Sequence, residues 1–249
     1  MTNSLPTGVA RVVLLDIARA GALTAAAITH RHGPCPNWNA LIKAGLLKRL
    51  DTVRGATHGM VLVLSPQGHA LLLANGLGPY DRVIGVERAV DRSYQQDALA
   101  LLQGQGYRVI QPHRQGGPLG HARIVRYTVE VPAAQLAQLE DDWPSRPPPF
   151  PGQPFHESLG RPSVYATCSR GGRGRKAVQD LLERVHRQNI VTWRAPLIVF
   201  VPELAPDLRD YLRRHAAQRT AALDRQFGPG QLHGGRPRYA DLDVRVLPI

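Results

Sequence analysis

"GLLKRLDTVRGATHGMVLVLSPQG", residues 45–68, decides how this 249-residue chain is to be read. A leucine-rich segment ends in the basic pair Lys48 and Arg49. Arg54 and His58 then stand among glycines, and the apolar run 60–64 follows. Aliphatic runs separated by a glycine-bearing break suit extended chain. They predict a strand at 46–51, a loop at 52–58 and a strand at 59–64. Ser65 before Pro66 marks a helix start, because serine caps free backbone N–H groups and proline fits the first helical turn. The helix predicted from 66 ends near Asn75.

The segments before this stretch are helical. "VARVVLLDIAR" (9–19) carries apolar residues at helical spacing, and Gly21 stops it. "LTAAAITHRH" (23–32) has Thr24 as its N-cap and Gly33 after its last turn. "PCPNWNALIKAG" (34–45) predicts a third helix at 36–44. After the opening stretch, residues 83–103 form a longer amphipathic helix through Val86, Val90, Leu99 and Leu102. Strands are predicted at 107–111 and 123–131, with a short acidic helix at 132–142. "PSRPPPFPGQP" (144–154) cannot hold regular structure, since proline removes donors and fixes φ. Beyond it come a strand at 162–168, a helix after "SRGGRGRK" (169–176), a buried strand in "APLIVFVPE" (195–203), a helix at 206–223 and an edge strand at 243–249. The pattern predicts an α/β (α+β) protein: a helix-and-ribbon domain at 1–78 and a mixed-sheet α/β domain at 79–249.

The chain is strongly basic, with a net charge of +12 and an isoelectric point near 10.6. Only Lys43, Lys48 and Lys176 are lysines, so arginine carries nearly all the positive charge. Residues 1–78 hold 7 basic and 2 acidic side chains, residues 79–143 hold 7 and 8, and residues 144–249 hold 17 and 9. The nets of +5, −1 and +8 put the candidate contact surfaces at the two ends. A polyanionic partner follows, duplex DNA foremost. The 2 cysteines, Cys35 and Cys168, give neither a disulfide framework nor a four-cysteine metal site. No apolar run reaches the ~18 residues of a membrane span, and the first residues lack a signal-peptide pattern. The expectation is a cytoplasmic, nucleoid-associated protein with no membrane partner and no cofactor, and with a homodimer as a further option.

Three short helices, a two-stranded ribbon and another helix resemble a winged helix-turn-helix DNA-binding domain over residues 8–76. The "AGLLKRL…G…LVLSPQG" signature carries the resemblance. It implies that the third helix enters the major groove while the ribbon, the wing, meets the backbone. Asn37, Trp38, Asn39 and Lys43 would then face the groove, and Lys48, Arg49, Arg54 and His58 would meet phosphates. A tryptophan beside Leu41 and Ile42 also suits the edge of a core. A winged helix can alternatively serve as a protein-docking module.

The second half offers a strand, glycines and a helix start in "YATCSRGGRGRKAVQDLL" (165–182), an arrangement suited to anions. Arg170, Arg173, Arg175 and Lys176 are its candidate phosphate contacts. The spacing of Gly171, Gly174 and Lys176 is not that of a nucleotide-binding P-loop, and Ala177 replaces the metal-binding hydroxyl. A winged helix followed by strand–xRG–helix–apolar strand resembles the replication-relaxation proteins, whose second domain is similar to the PD-(D/E)xK nuclease fold. Their strand typically reads E-x-D-R-G. Here it reads Thr167-Cys168-Ser169-Arg170-Gly171, and hydroxyls do not replace carboxylates as Mg²⁺ ligands. The resemblance implies a non-catalytic domain, with a metal-dependent nuclease as the alternative. His30, His32 and Cys35 lack zinc-ligand spacing and read as a helix end interacting with its dipole. His156, Glu157 and Ser158 are too close in sequence to form a triad.

Overall fold

The computed structural model describes residues 4–34, 37–54, 57–83, 85–114, 125–135, 137, 163–166, 197–202 and 242–248, with eight single helical positions between Asp207 and Arg225. Helices and sheets are mixed along the chain, making it an α+β protein. It divides into two compact units, the first running to Ala98 and the second from Leu99 onward.

The first unit opens with α1 (Gly8–Ala20), which turns Val13, Leu14, Ile17 and Ala18 inward. Gly21, at φ 83°, ends it by donating its N–H to the Ile17 carbonyl at 2.8 Å. Residues Leu23–Thr24 form β1, and α2 (Ala25–His32) starts at once. The Thr24 hydroxyl accepts the Ala27 N–H at 3.0 Å, the expected cap. The sequence carries no sign that these two residues are also a strand. Their identity as β1 comes from pairing: Leu23 lies opposite Leu62 and Thr24 opposite Val61.

Helix α3 (Trp38–Lys43) is shorter than the predicted 36–44. Its C-terminal end explains the "AGLL" of the opening stretch. The Gly45 N–H reaches the Ile42 carbonyl and the Leu46 N–H reaches the Leu41 carbonyl, both at 2.9 Å. That pair of bonds needs a left-handed residue between them, and Gly45 supplies it at φ 72°. Strands β2 (Leu47–Arg54) and β3 (Thr57–Leu64) then pair in unbroken antiparallel register from Leu47↔Leu64 to Arg54↔Thr57. The predicted loop at 52–58 is thus mostly strand. Glycine content suggested a break there, but cross-strand pairing carries both strands on to Arg54 and Thr57; residues 55 and 56 lie outside the described residues. Gly59 sits inside β3 opposite Thr52. The sheet order is β1-β3-β2.

Ser65 joins the ribbon to α4 (Pro66–Ala74). Its hydroxyl donates to the Gly45 carbonyl and accepts the Gly68 N–H at 2.9 Å, while its N–H reaches the Leu46 carbonyl at 3.0 Å. The turn after α3 and the start of α4 are therefore held by one serine. The contact is close enough to require glycine at 68, where an added Cβ would lie 2.2 Å from the Leu46 oxygen.

Both faces of the three-stranded sheet are covered. Leu47, Leu62 and Leu64 pack with residues of α1 to α4, among them Leu14, Ile17, Ile28, Leu41 and Leu72. Val61 and Val63 pack with Ala22 and Ala89, and Leu50 and Val83 lie at the edge of that cluster. Ala89 belongs to α5 (Val86–Gly104). Residues 79–98 thus complete the first unit, although composition placed the break at 78. The Arg92–Asp81 ion pair, at 3.3 Å, fixes the loop to the helix.

In the second unit the sheet order is β4-β5-β6-β7-β8. The strands are β4 (Arg108–Arg114), β5 (Val125–Glu130), β6 (Ser163–Ala166), β7 (Leu197–Val201) and β8 (Leu242–Val246). Neighbours are antiparallel from β4 to β6 and parallel from β6 to β8, the mixed sheet that the sequence predicts. Ile198, Val199, Phe200 and Val201 are all buried, as a run bounded by prolines requires of a central strand. β8 is at the edge. β4 runs past the predicted end at 111 because an edge strand tolerates Pro112, here opposite Tyr127. At the start of β4 the Tyr107 hydroxyl donates to Gln135 at 2.7 Å and accepts from Arg245 of β8 at 3.2 Å. The described positions between Asp207 and Arg225 are helical, within and just past the predicted helix 206–223. The proline-rich stretch 144–154, the acidic helix beyond 137 and the stretch 167–176 lie outside the described residues.

Candidate nucleic-acid interface

The first unit has only two carboxylates before residue 79, Asp16 and Asp51, and both are engaged. Asp16, on α1, holds the end of α2: Arg31 bonds it at 3.2 Å and the His32 ring lies 3.0 Å from it. The helix-end histidine therefore has a carboxylate partner, beyond the dipole reading of its sequence. Among the described residues no cluster of three metal-ligating side chains occurs, and Cys35 lies outside them. Asp51 pairs with Arg49 two residues away on the same strand face, at 2.7 Å. Neither Lys43 nor Lys48 has an ion-pair partner among the described residues. Arg11 and Arg19 on the outside of α1 are likewise exposed.

On α3, Asn39 and Lys43 are exposed, together with Ala40. Asn37 precedes the helix as its N-cap residue in the left-handed conformation, at φ 54°, with no side-chain capping bond. Its side chain is exposed. Trp38 is partly buried against the core cluster, as is Ile42. Tryptophan thus anchors the helix, while the two asparagines and the lysine face outward.

Along the ribbon, Lys48 and Arg49 are both exposed but occupy opposite faces, because side chains alternate on a strand. Lys48 stands opposite Val63, on the face that α5 covers further along. Arg49 stands opposite Leu62, on the face packed by α1 to α4. The structure therefore does not bring that basic pair together. Arg54 and His58 take the last register positions before the turn, opposite Thr57 and Val53. Arg170, Arg173, Arg175 and Lys176 lie outside the described residues, as do Thr167 and Ser169.

No family model, curated protein or solved structure matches the chain.

Sequence reasoning missed the two carboxylates that set which cations are free. The Arg49–Asp51 pair was readable, since strand residues two apart share a face. The Asp16–Arg31 pair spans 15 positions and two helices, and no local pattern signals it. His69, on α4, is a further titratable group. Burial, and after it the nearby Arg82 guanidinium, push its pKa below the ordinary 6.5. No described helix is long and apolar enough to cross a membrane.

Proposed function

We propose that the protein binds duplex DNA through its first unit, acting as a winged helix, and that it works in transcription regulation or in the maintenance of a plasmid, mobile element or genome. The observation that carries this reading is the combination of element order and free charge. The order α1-β1-α2-α3-β2-β3, with β1 at the far side of β3, sets a short helix beside a long hairpin. The helix exposes Asn39 and Lys43, and the hairpin carries Lys48 at its base and Arg54 at its tip. Asparagine and lysine are suited to base edges, and lysine and arginine to phosphates. Both carboxylates of residues 1–78 are already engaged, Asp16 by Arg31 and His32 and Asp51 by Arg49.

The test is fluorescence anisotropy of the full chain on duplexes of unrelated sequence across a salt series. Each phosphate neutralised contributes about −0.9 to the slope of log K against log salt. Lys43, Lys48 and Arg54 lead to an expected slope of about −3. Absence of binding to any duplex at low salt would remove DNA as the partner. Cleavage of the bound duplex on adding Mg²⁺ would favour a nuclease instead.

A further inference from the structure

Resting on the DNA-binding reading, we infer that each copy of the chain reads no more than about three contiguous base pairs and holds the rest of its site through the backbone. The length of α3 is the reason. Six residues at 1.5 Å each make a helix about 9 Å long, against 3.4 Å per base pair.

That length is fixed at both ends. Asn37 is left-handed, so the residue before the helix cannot extend it. Gly45 is left-handed too, and the paired bonds from Gly45 and Leu46 close the other end. Trp38, Leu41 and Ile42 pack into the core, so the helix is also fixed about its axis. What remains for base edges is Asn39 and Lys43, Asn37 at the entry, and Ala40, which can offer only a methyl contact.

The hairpin is built on another scale. Eight residues per strand give about 27 Å, three times the helix. Its basic positions are of the phosphate-binding kind, and phosphate contacts position a protein without reading sequence. Affinity and selectivity therefore come from different elements, and the larger element is the sequence-tolerant one.

The experiment is selection of the full-length protein on a pool of duplexes with a random core of about 20 base pairs, read by sequencing. The expected result is a retained pool whose enriched motif has no contiguous block wider than three base pairs, or no motif at all. In the Asn39→Ala and Lys43→Ala proteins any such motif should be lost at one or more positions. A contiguous block of five or more base pairs would overturn the inference while leaving DNA binding intact. A motif unchanged in both variants would overturn it too, because α3 would not be the reader. A pool with no duplex retained at low salt would overturn the DNA-binding reading itself, and the inference with it.

Discussion

Gly68→Ala should destabilise the first unit by about 2–4 kcal/mol. The new Cβ would sit 2.2 Å from the Leu46 carbonyl oxygen and 3.2 Å from both the Leu46 carbonyl carbon and the Leu64 Cδ2. Real Cβ atoms do not come within 3.0 Å of a backbone oxygen, so α4 and the start of β2 must separate by nearly an ångström. Overpacking of this kind costs about 1–3 kcal/mol. The same displacement pulls on the Ser65 bonds to Gly68 and Leu46, and losing an N-terminal cap adds on the order of 1 kcal/mol. A matched comparison is Gly76→Ala. Gly76 closes α4 in the left-handed conformation, at φ 70° and with open space around its missing Cβ, so only backbone strain of about 1–2 kcal/mol applies. Urea titration of the full chain, with Trp143 and Trp193 changed to Phe so that Trp38 alone reports, isolates the first unit. A Gly68→Ala midpoint equal to or above that of Gly76→Ala would refute the account of how α3, the ribbon and α4 are joined.

The remaining predictions concern charge, boundary and pH. Arg54→Ala should lower the salt slope of duplex binding by about one unit, and an unchanged slope would take the hairpin tip off the DNA. Asp51→Asn should tighten binding and steepen the slope, since it releases Arg49; unchanged affinity would place Arg49 outside the interface. A fragment of residues 1–104 should unfold cooperatively, whereas 1–78, stripped of Val83 and Ala89, should expose Val61 and Val63 and bind a hydrophobic dye. Equal melting temperatures of the two fragments would contradict the packing of α5 on the sheet. The lowered pKa of His69 means that folding favours its neutral form. Its contribution to stability is complete above pH 6.5 and is lost as pH falls through the folded value, so His69→Gln should flatten the dependence of the urea midpoint between pH 7.5 and 5.

Local signals predicted the elements that rest on local physics. Thr24 and Ser65 announced their helices because a hydroxyl at an N-cap acts within three residues, and both bonds are present. Gly21, Gly33 and Gly45 announced helix ends for the same kind of reason. The run at 195–203 announced a central strand because only burial on both faces accepts four consecutive apolar side chains. What sequence could not show depends on partners far along the chain. Two residues make β1 only by lying against Leu62 and Val61. Residues 79–98 join the first unit because Tyr80, Val83 and Ala89 find core residues far back along the chain, Val61 and Val63 among them.

The same division separates the readable part of the interface from the rest. A net of +5 over residues 1–78 is a sum, and a sum does not say which cations are available. Pairing does. Asp16 binds Arg31 and His32 at the joint of α1 and α2, and so spends its charge holding helices together. Asp51 spends its charge on Arg49, on the ribbon itself. Lys43 and Lys48 are left at the end of α3 and the base of β2, with four residues of chain between them. Position and availability together, rather than the total, single out the junction of α3 and the ribbon as the place where a polyanion would be held. For that reason releasing Arg49 at Asp51 should strengthen binding, whereas Asp16→Asn, which adds the same unit of charge, should chiefly loosen α1 from α2. If the two substitutions tightened binding equally, net charge alone would govern affinity and the location of the free cations would not matter.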